Sequence, residues 1–286
     1  MLRLGCMALL AAMAFLAVRS QVTKIVINDP SHFDAVYKHK NEEKADDPKL
    51  ECLYEYTAID TLSGQTFMAT TMLQVGQEWT KFQEYYDYWA DSVCWRSDWK
   101  IKGYVVERMP QPDNANFNQS LLRHIATNRL TCLGNVGIDY YIYEDSTAQF
   151  KWTLLADTAT VCGYPCRKAK AWFRGRQWEV WYTEEVPVDA GPWKFNGLPG
   201  LILRARTADG MLMFDAVELR KPGAYYIART FPDRGDQRPT REEVLEMERN
   251  MSWMTEQYLR SRVKVVSTSP GKRLPQRMFY QPLELE

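Results

Sequence analysis

The chain of 286 residues contains only three histidines and none of the common catalytic motifs. His32, His39 and His124 lie in unrelated contexts, with no HExxH helix and no CxxC pair beside them. Zinc sites of the usual types are therefore not expected. No GxSxG elbow, Walker loop or GxGxxG after a strand occurs, so no nucleotide or other cofactor is expected. Charge of one sign is also missing, because 36 Lys+Arg balance 36 Asp+Glu. A polyanion binder needs a basic face that releases counterions, so nucleic acid is not an expected partner. Beyond the first twenty residues no apolar run approaches the ~18 residues of a transmembrane helix. No fixed-period repeat or low-complexity tract interrupts the chain.

Those first twenty residues, MLRLGCMALLAAMAFLAVRS, carry one early positive charge at Arg3 and an apolar run from Leu4 to Val18. Val18 and Ser20 then offer small residues at the −3 and −1 positions of a cleavage site before Gln21. This is the layout of a secretory signal peptide over residues 1–20. It predicts export to the periplasm or cell envelope. Removing Arg3 and Arg19 from the 36 basic residues leaves 34 against 36 acidic ones, a net of −2. Five cysteines remain: Cys52, Cys94, Cys132, Cys162 and Cys166. In an oxidising compartment they are disulfide candidates, with one left over and no connectivity readable from spacing.

Residues 21–48 read as a polar lead-in and 49–263 as a single β-rich domain. Residues 264–286, with three prolines and several basic residues, read as an extended C-terminal tail. Stretches rich in Tyr, Thr, Val and Ile predict strands over 50–60, 65–75, 101–109, 138–144, 149–156, 168–173, 177–182, 201–207 and 211–219. Ser63-Gly64 and Asp209-Gly210 are hairpin turns between neighbours. Helices are predicted over 77–93, 118–130 and, most clearly, 241–263. The last has Thr240 and Glu243 placed as a capping box. Its apolar stripe is Val244, Met247, Met251, Met254 and Tyr258. The fold class is mainly β: a curled antiparallel sheet or partial barrel with a C-terminal helix packed on it.

Two groups of residues bear on catalysis. Cys162 and Cys166 form a CxxxC, and four extended residues would hold the thiols ~13 Å apart unless Gly163-Tyr164-Pro165 turns the chain. Glu184 and Glu185 are adjacent, and neighbours along a strand point to opposite faces. The densest unusual stretch is GPWKFNGLPGLIL, residues 191–203. Its prolines fix φ and its glycines admit conformations closed to other residues, Gly197 and Gly200 being free to take positive φ. It reads either as a shaped strand-to-strand connection that plugs one end of the sheet or as a recognition surface in which Lys194 and Asn196 face outward between Trp193 and Phe195.

This stretch resembles the signature of the GLPGLI family, exported proteins of Gram-negative bacteria, as Gly197-Leu198-Pro199-Gly200-Leu201-Ile202. The resemblance continues upstream through Gly163–Ala169, Phe173–Arg176 and Trp181–Thr183, and downstream to Gln281-Pro282-Leu283-Glu284. It implies an envelope address and a single β-rich domain, and it carries no catalytic residue.

Three functions are then open. A non-enzymatic envelope protein would bind an apolar or extended ligand, such as a lipid or peptide, or an outer-membrane protein. Its contacts would come from Trp172, Trp178, Trp181, Trp193, Lys194, Phe195 and Asn196 on a concave aromatic face. Along the strand Trp178 and Tyr182 share one face and Trp181 takes the other. An exported hydrolase or thiol-dependent enzyme would use Cys162/Cys166 or Glu184/Glu185. An assembly role would present the tail, whose Lys264, Lys272, Arg273 and Arg277 suit anionic lipid headgroups.

Overall fold

The structure is a computed structural model that describes residues 42–98, 117–137, 139–146, 150–231, 237–262 and 277–285. Eleven strands form one antiparallel sheet. In chain order they are β2 (Leu50–Ile59), β3 (Thr66–Val75), β4 (Trp79–Glu84), β5 (Gln119–His124), β6 (Arg129–Val136), β7 (Asp139–Ser146), β8 (Thr153–Val161), β9 (Tyr164–Phe173), β10 (Arg176–Thr183), β11 (Leu201–Thr207) and β12 (Leu212–Arg220). Their spatial order is β7-β6-β5-β4-β3-β2-β12-β11-β10-β9-β8, and the sheet does not close into a barrel. A separate ribbon pairs β1 (Glu42–Asp46) with β13 (Ile227–Thr230). Helix α1 is Tyr85–Arg96, α2 is Arg241–Trp253 and α3 is Thr255–Arg262. The curled, mainly β architecture with C-terminal helices is therefore the observed one.

The curl follows from accumulated strand twist, sharpened by irregular register at Trp181/Tyr182, Ala216/Glu218 and Leu154/Thr158. It brings the two ends of the sheet together. Asp145 at the end of edge strand β7 accepts a hydrogen bond from Arg174 at 3.0 Å, on the turn that joins β9 to β10. Residues on the inner face then form one core: Tyr54, Phe82, Cys132, Tyr141, Phe173, Trp178, Phe214 and their neighbours. On β6 and β7 alternation is clean, with Leu130, Cys132, Tyr141 and Tyr143 buried and Arg129, Thr131, Ile142 and Glu144 facing the other way.

Several predicted elements change. The segment read as a helix over 77–93 begins as strand β4 and turns helical only at Tyr85. Its aromatic spacing of three and four fits both states, and pairing with β3 and β5 decides the outcome. The helix expected over 118–130 is a hairpin, β5 and β6, turned at Asn128 with φ 54°. The strand expected over 101–109 lies outside the described residues, as do the signal segment, Lys264, Lys272 and Arg273. Residues 42–46 of the lead-in are a strand, held by Asp46, which accepts the backbone N–H of Glu78 at 2.7 Å and of Trp79 at 3.2 Å.

The capping box forms as expected: Thr240 Oγ1 accepts the Glu243 N–H at 3.2 Å, and the Glu243 carboxylate accepts the Thr240 N–H at 2.7 Å. The helix does not run through to 263. The Ser252 carbonyl accepts the N–H of Met278, and the Thr255 hydroxyl donates to the Met251 carbonyl. Those carbonyls are taken by other donors, so the chain breaks at Met254. Met254 and Trp253 consequently turn outward, while Val244, Met247, Met251 and Tyr258 pack on the core.

Candidate functional site

The 191–203 stretch fills the interior where the two sheet ends meet. Trp193 packs against Trp178 and Phe173 at ring distances of 5.8 and 5.7 Å, and Phe195 against Trp178 at 4.8 Å. Gly200 has no positive φ; its role is close approach, since a Cβ there would stand 2.0 Å from the Thr183 carbonyl oxygen. Gly197 does take positive φ, at 86°, and so, unexpectedly, does Trp193, at 53°. A bulky residue held in the left-handed region is strained, and the packing around its indole supplies the constraint.

Lys194 and Asn196 do not face outward. Lys194 is 2% exposed, and its ammonium donates to Asp145 at 2.9 Å and to Glu284. Asn196 folds back to donate to the Lys194 carbonyl at 2.9 Å, and its own carbonyl accepts from the Trp152 indole at 2.8 Å. A buried charge must be paired, and the curl supplies the partners. Burial alone would lower the Lys194 ammonium, but the neighbouring carboxylates outweigh it and hold it above the usual lysine range. Arg241, the first residue of α2, donates to the other Glu284 oxygen at 2.8 Å. Half-buried Glu248 of α2 lies in the same field, pushed up to about 7 by burial and by the charge of Glu284.

The C-terminal segment is thereby built into the fold. Arg176 donates twice to the Pro282 carbonyl, and the Leu285 N–H donates to the Arg174 carbonyl. Arg277, expected at a lipid surface, instead pairs at 2.8 Å with buried Asp60.

Most of the other residues proposed from sequence are also internal. Trp178, Trp181, Trp193 and Phe195 are buried, which leaves Trp172, 68% exposed, as the one open aromatic of the set. Trp181 lies on the outer face, covered by Lys168, Arg204 and Arg206 at 5.0, 5.7 and 4.9 Å from its ring. Among the described residues none of the expected disulfides is formed: Cys52, Cys94, Cys132, Cys162 and Cys166 are all free thiols. Cys52 and Cys132 are sealed in the core, where burial pushes each thiol up to about 12. Cys162 and Gly163 turn the β8–β9 hairpin at φ 49° and 83°, so the CxxxC does not run extended. Burial raises the Cys166 thiol too, the reverse of what activates a nucleophile. Glu184 and Glu185 are exposed beyond β10, Glu184 paired with Arg167 at 3.2 Å.

A groove of about 490 Å³ opens instead on the convex face, where the β1–β13 ribbon lies against β4 and Gln237 bridges to Tyr141 of edge strand β7. Its lining joins Trp79, His124, Thr127, Arg129, Thr131, Ile142 and Glu144 from the sheet side to Arg229, Thr230, Phe231 and Arg238. The Arg229 guanidinium lies 4.5 Å over the Trp79 ring, and His124 meets that ring edge-on at 4.7 Å. Thr127 sits against His124 Nδ1, its hydroxyl at 2.9 Å and its backbone N–H at 3.3 Å. Thr131 donates to Glu144 at 2.9 Å, and Arg129 stands 3.9 Å from the same carboxylate. This is a mixed site rich in donors, with apolar contributions from Ile142 and Phe231. No sequence motif announced it; the available signal was the outward half of the β6–β7 alternation. Among the described residues no group of His, Cys, Asp and Glu is placed to hold a metal.

Residues 128–225 match a family model described as the N-glycanase peptide, N-terminal domain, of the PNGase F-II type. That segment contains four of the groove residues: Arg129, Thr131, Ile142 and Glu144. Two solved structures of PNGF-II, in space groups P21 and C2, are similar at TM-scores of 0.45 and 0.44 and identities of 15% and 16%. Each likeness covers 70% of this chain but only 33% and 32% of theirs, so the chain spans about a third of their length. At these values neither their structure nor their activity is carried over. No curated protein matches.

Proposed function

We propose that the chain is an exported, non-catalytic recognition domain of the cell envelope, GLPGLI-like in sequence, whose convex groove receives glycan chains of glycoproteins. The groove carries this reading. It combines a cavity of ligand size, an aromatic–arginine wall and several hydroxyl and guanidinium donors, the mixture that orients a polyhydroxylated ligand. The match of residues 128–225 to an N-glycanase N-terminal domain supports the ligand class. A non-catalytic role is supported by where the enzyme candidates lie: Cys166 is buried with a raised thiol, and Glu184 and Glu185 point into solvent away from the groove. Export is supported by the first twenty residues, and no described helix is long and apolar enough to cross a membrane.

The test is calorimetry of the purified chain from Gln21 onward with N-glycopeptides, the matching free glycans and the deglycosylated peptides. Binding should follow the glycan and fall at least tenfold in Phe231→Ala, an exposed wall residue whose loss leaves the core intact. Equal affinity for glycosylated and deglycosylated peptide, or no effect of that substitution, would refute it.

A further inference from the structure

We infer that the groove selects an acidic saccharide, one carrying a carboxylate or sulfate, over a neutral one. This rests on the glycan reading above and adds the charge of its ligand. Arg229 is committed, since it covers Trp79 and pairs with Glu43 at 3.3 Å. Arg129 is held only loosely, 3.9 Å from a carboxylate that already accepts from Thr131, and both side chains of that pair are largely exposed. Arg238 is exposed and, among the described residues, has no ion-pair or hydrogen-bond partner. Among the described residues the groove therefore presents one uncommitted guanidinium and one weakly held one. Guanidinium forks match carboxylate and sulfate oxygens in pairs, which is why arginine is the usual reader of such groups.

The aromatic side of the groove points the same way. A neutral sugar is gripped mainly by stacking on an open aromatic face. Here Arg229 lies over Trp79 and His124 packs against it, so that ring is largely taken, and Phe231, 38% exposed, is left as an apolar contact that does not tell a neutral sugar from an acidic one. What discrimination the site has comes from charge. Glu144 and the threonine hydroxyls are left to accept from and donate to sugar hydroxyls.

The experiment compares galacturonate trisaccharide, maltotriose and sodium sulfate on the wild-type chain and on Arg238→Ala, by calorimetry at low and high sodium chloride. Arg238 is exposed and makes no hydrogen bond or ion pair among the described residues, so its loss should leave folding intact, and an unchanged melting temperature checks this. The galacturonate should bind at least tenfold tighter than maltotriose at low salt, and most of that margin should vanish at high salt and in Arg238→Ala. Equal binding of the two sugars, or a preference that survives Arg238→Ala, overturns the inference and leaves the glycan reading standing. Binding of sulfate with neither sugar binding overturns both, since the groove would then be a simple anion site.

Discussion

Replacing Lys194 by methionine tests the buried charge cluster directly. The side chain is 1% exposed, and its ammonium has two carboxylate partners, Asp145 at 2.9 Å and Glu284. Removing one member of a buried pair costs roughly 3–5 kcal/mol, because the remaining charge is stranded away from water. In this cluster each carboxylate keeps a second partner, Arg174 for Asp145 and Arg241 for Glu284, at 3.0 and 2.8 Å. The cost should therefore fall near the lower end, about 3 kcal/mol, or a melting temperature lower by roughly 6–12 °C for a domain of this size. Urea denaturation of the purified chain measures it. The double variant Lys194→Met with Glu284→Leu should be less destabilised than the sum of its singles, by about 0.5–3 kcal/mol, since it removes both ends of one contact. A single variant within about 1 kcal/mol of wild type, or strict additivity in the pair, would mean that Glu284 does not clasp the corner and that the tail is held by other contacts.

Other substitutions and conditions separate the remaining arguments. Gly200→Ala should cost more than about 3 kcal/mol because its methyl would meet the Thr183 backbone; Gly210→Ala, with positive φ but open space around it, should cost about 1 kcal/mol, as read by thermal melts. Burial raises Glu248 to about 7, and raises Glu84, with help from Asp87, to about 8. Both are thus easier to protonate folded than unfolded, so their contribution is full below about pH 4 and is lost as pH rises through about 7 to 8. In Glu84→Gln with Glu248→Gln the fall in stability across pH 5–8 should flatten; an unchanged slope would refute the assignment. Asp60 behaves oppositely: burial raises its carboxyl, but Arg277 and backbone N–H groups outweigh it and lower it to about 2. Its hold on the tail should persist above pH 4 and fail as pH falls toward 2, which proteolysis of the C-terminal segment would report. Ellman's reagent on the native protein should find at most one fast thiol, Cys162, and five after unfolding; any protected pair in denaturant would indicate a disulfide.

Much of this molecule was decided locally. Hairpins at Ser63-Gly64 and Asp209-Gly210, the strands they join and the capping box of α2 depend on neighbours a few residues away. Turn chemistry, β-branched alternation and reciprocal capping are all written into short stretches. The segments around 79–84 and 119–124 were not legible, because their apolar spacing satisfies a helix as well as a strand and only pairing with β3, β5 and β6 chooses between them. The corner at 191–203 was recognisable as a structural unit, yet the direction of Lys194 was not. A lysine between aromatics faces water unless something distant brings carboxylates to it, and Asp145 and Glu284 are separated from it by 49 and 90 residues. The groove lay beyond local reading for the same reason, since its walls come from five strands and the chain after β13. Local rules specify what each stretch does with its own backbone; the pairing of remote charges and the joining of remote surfaces exist only once the sheet has curled.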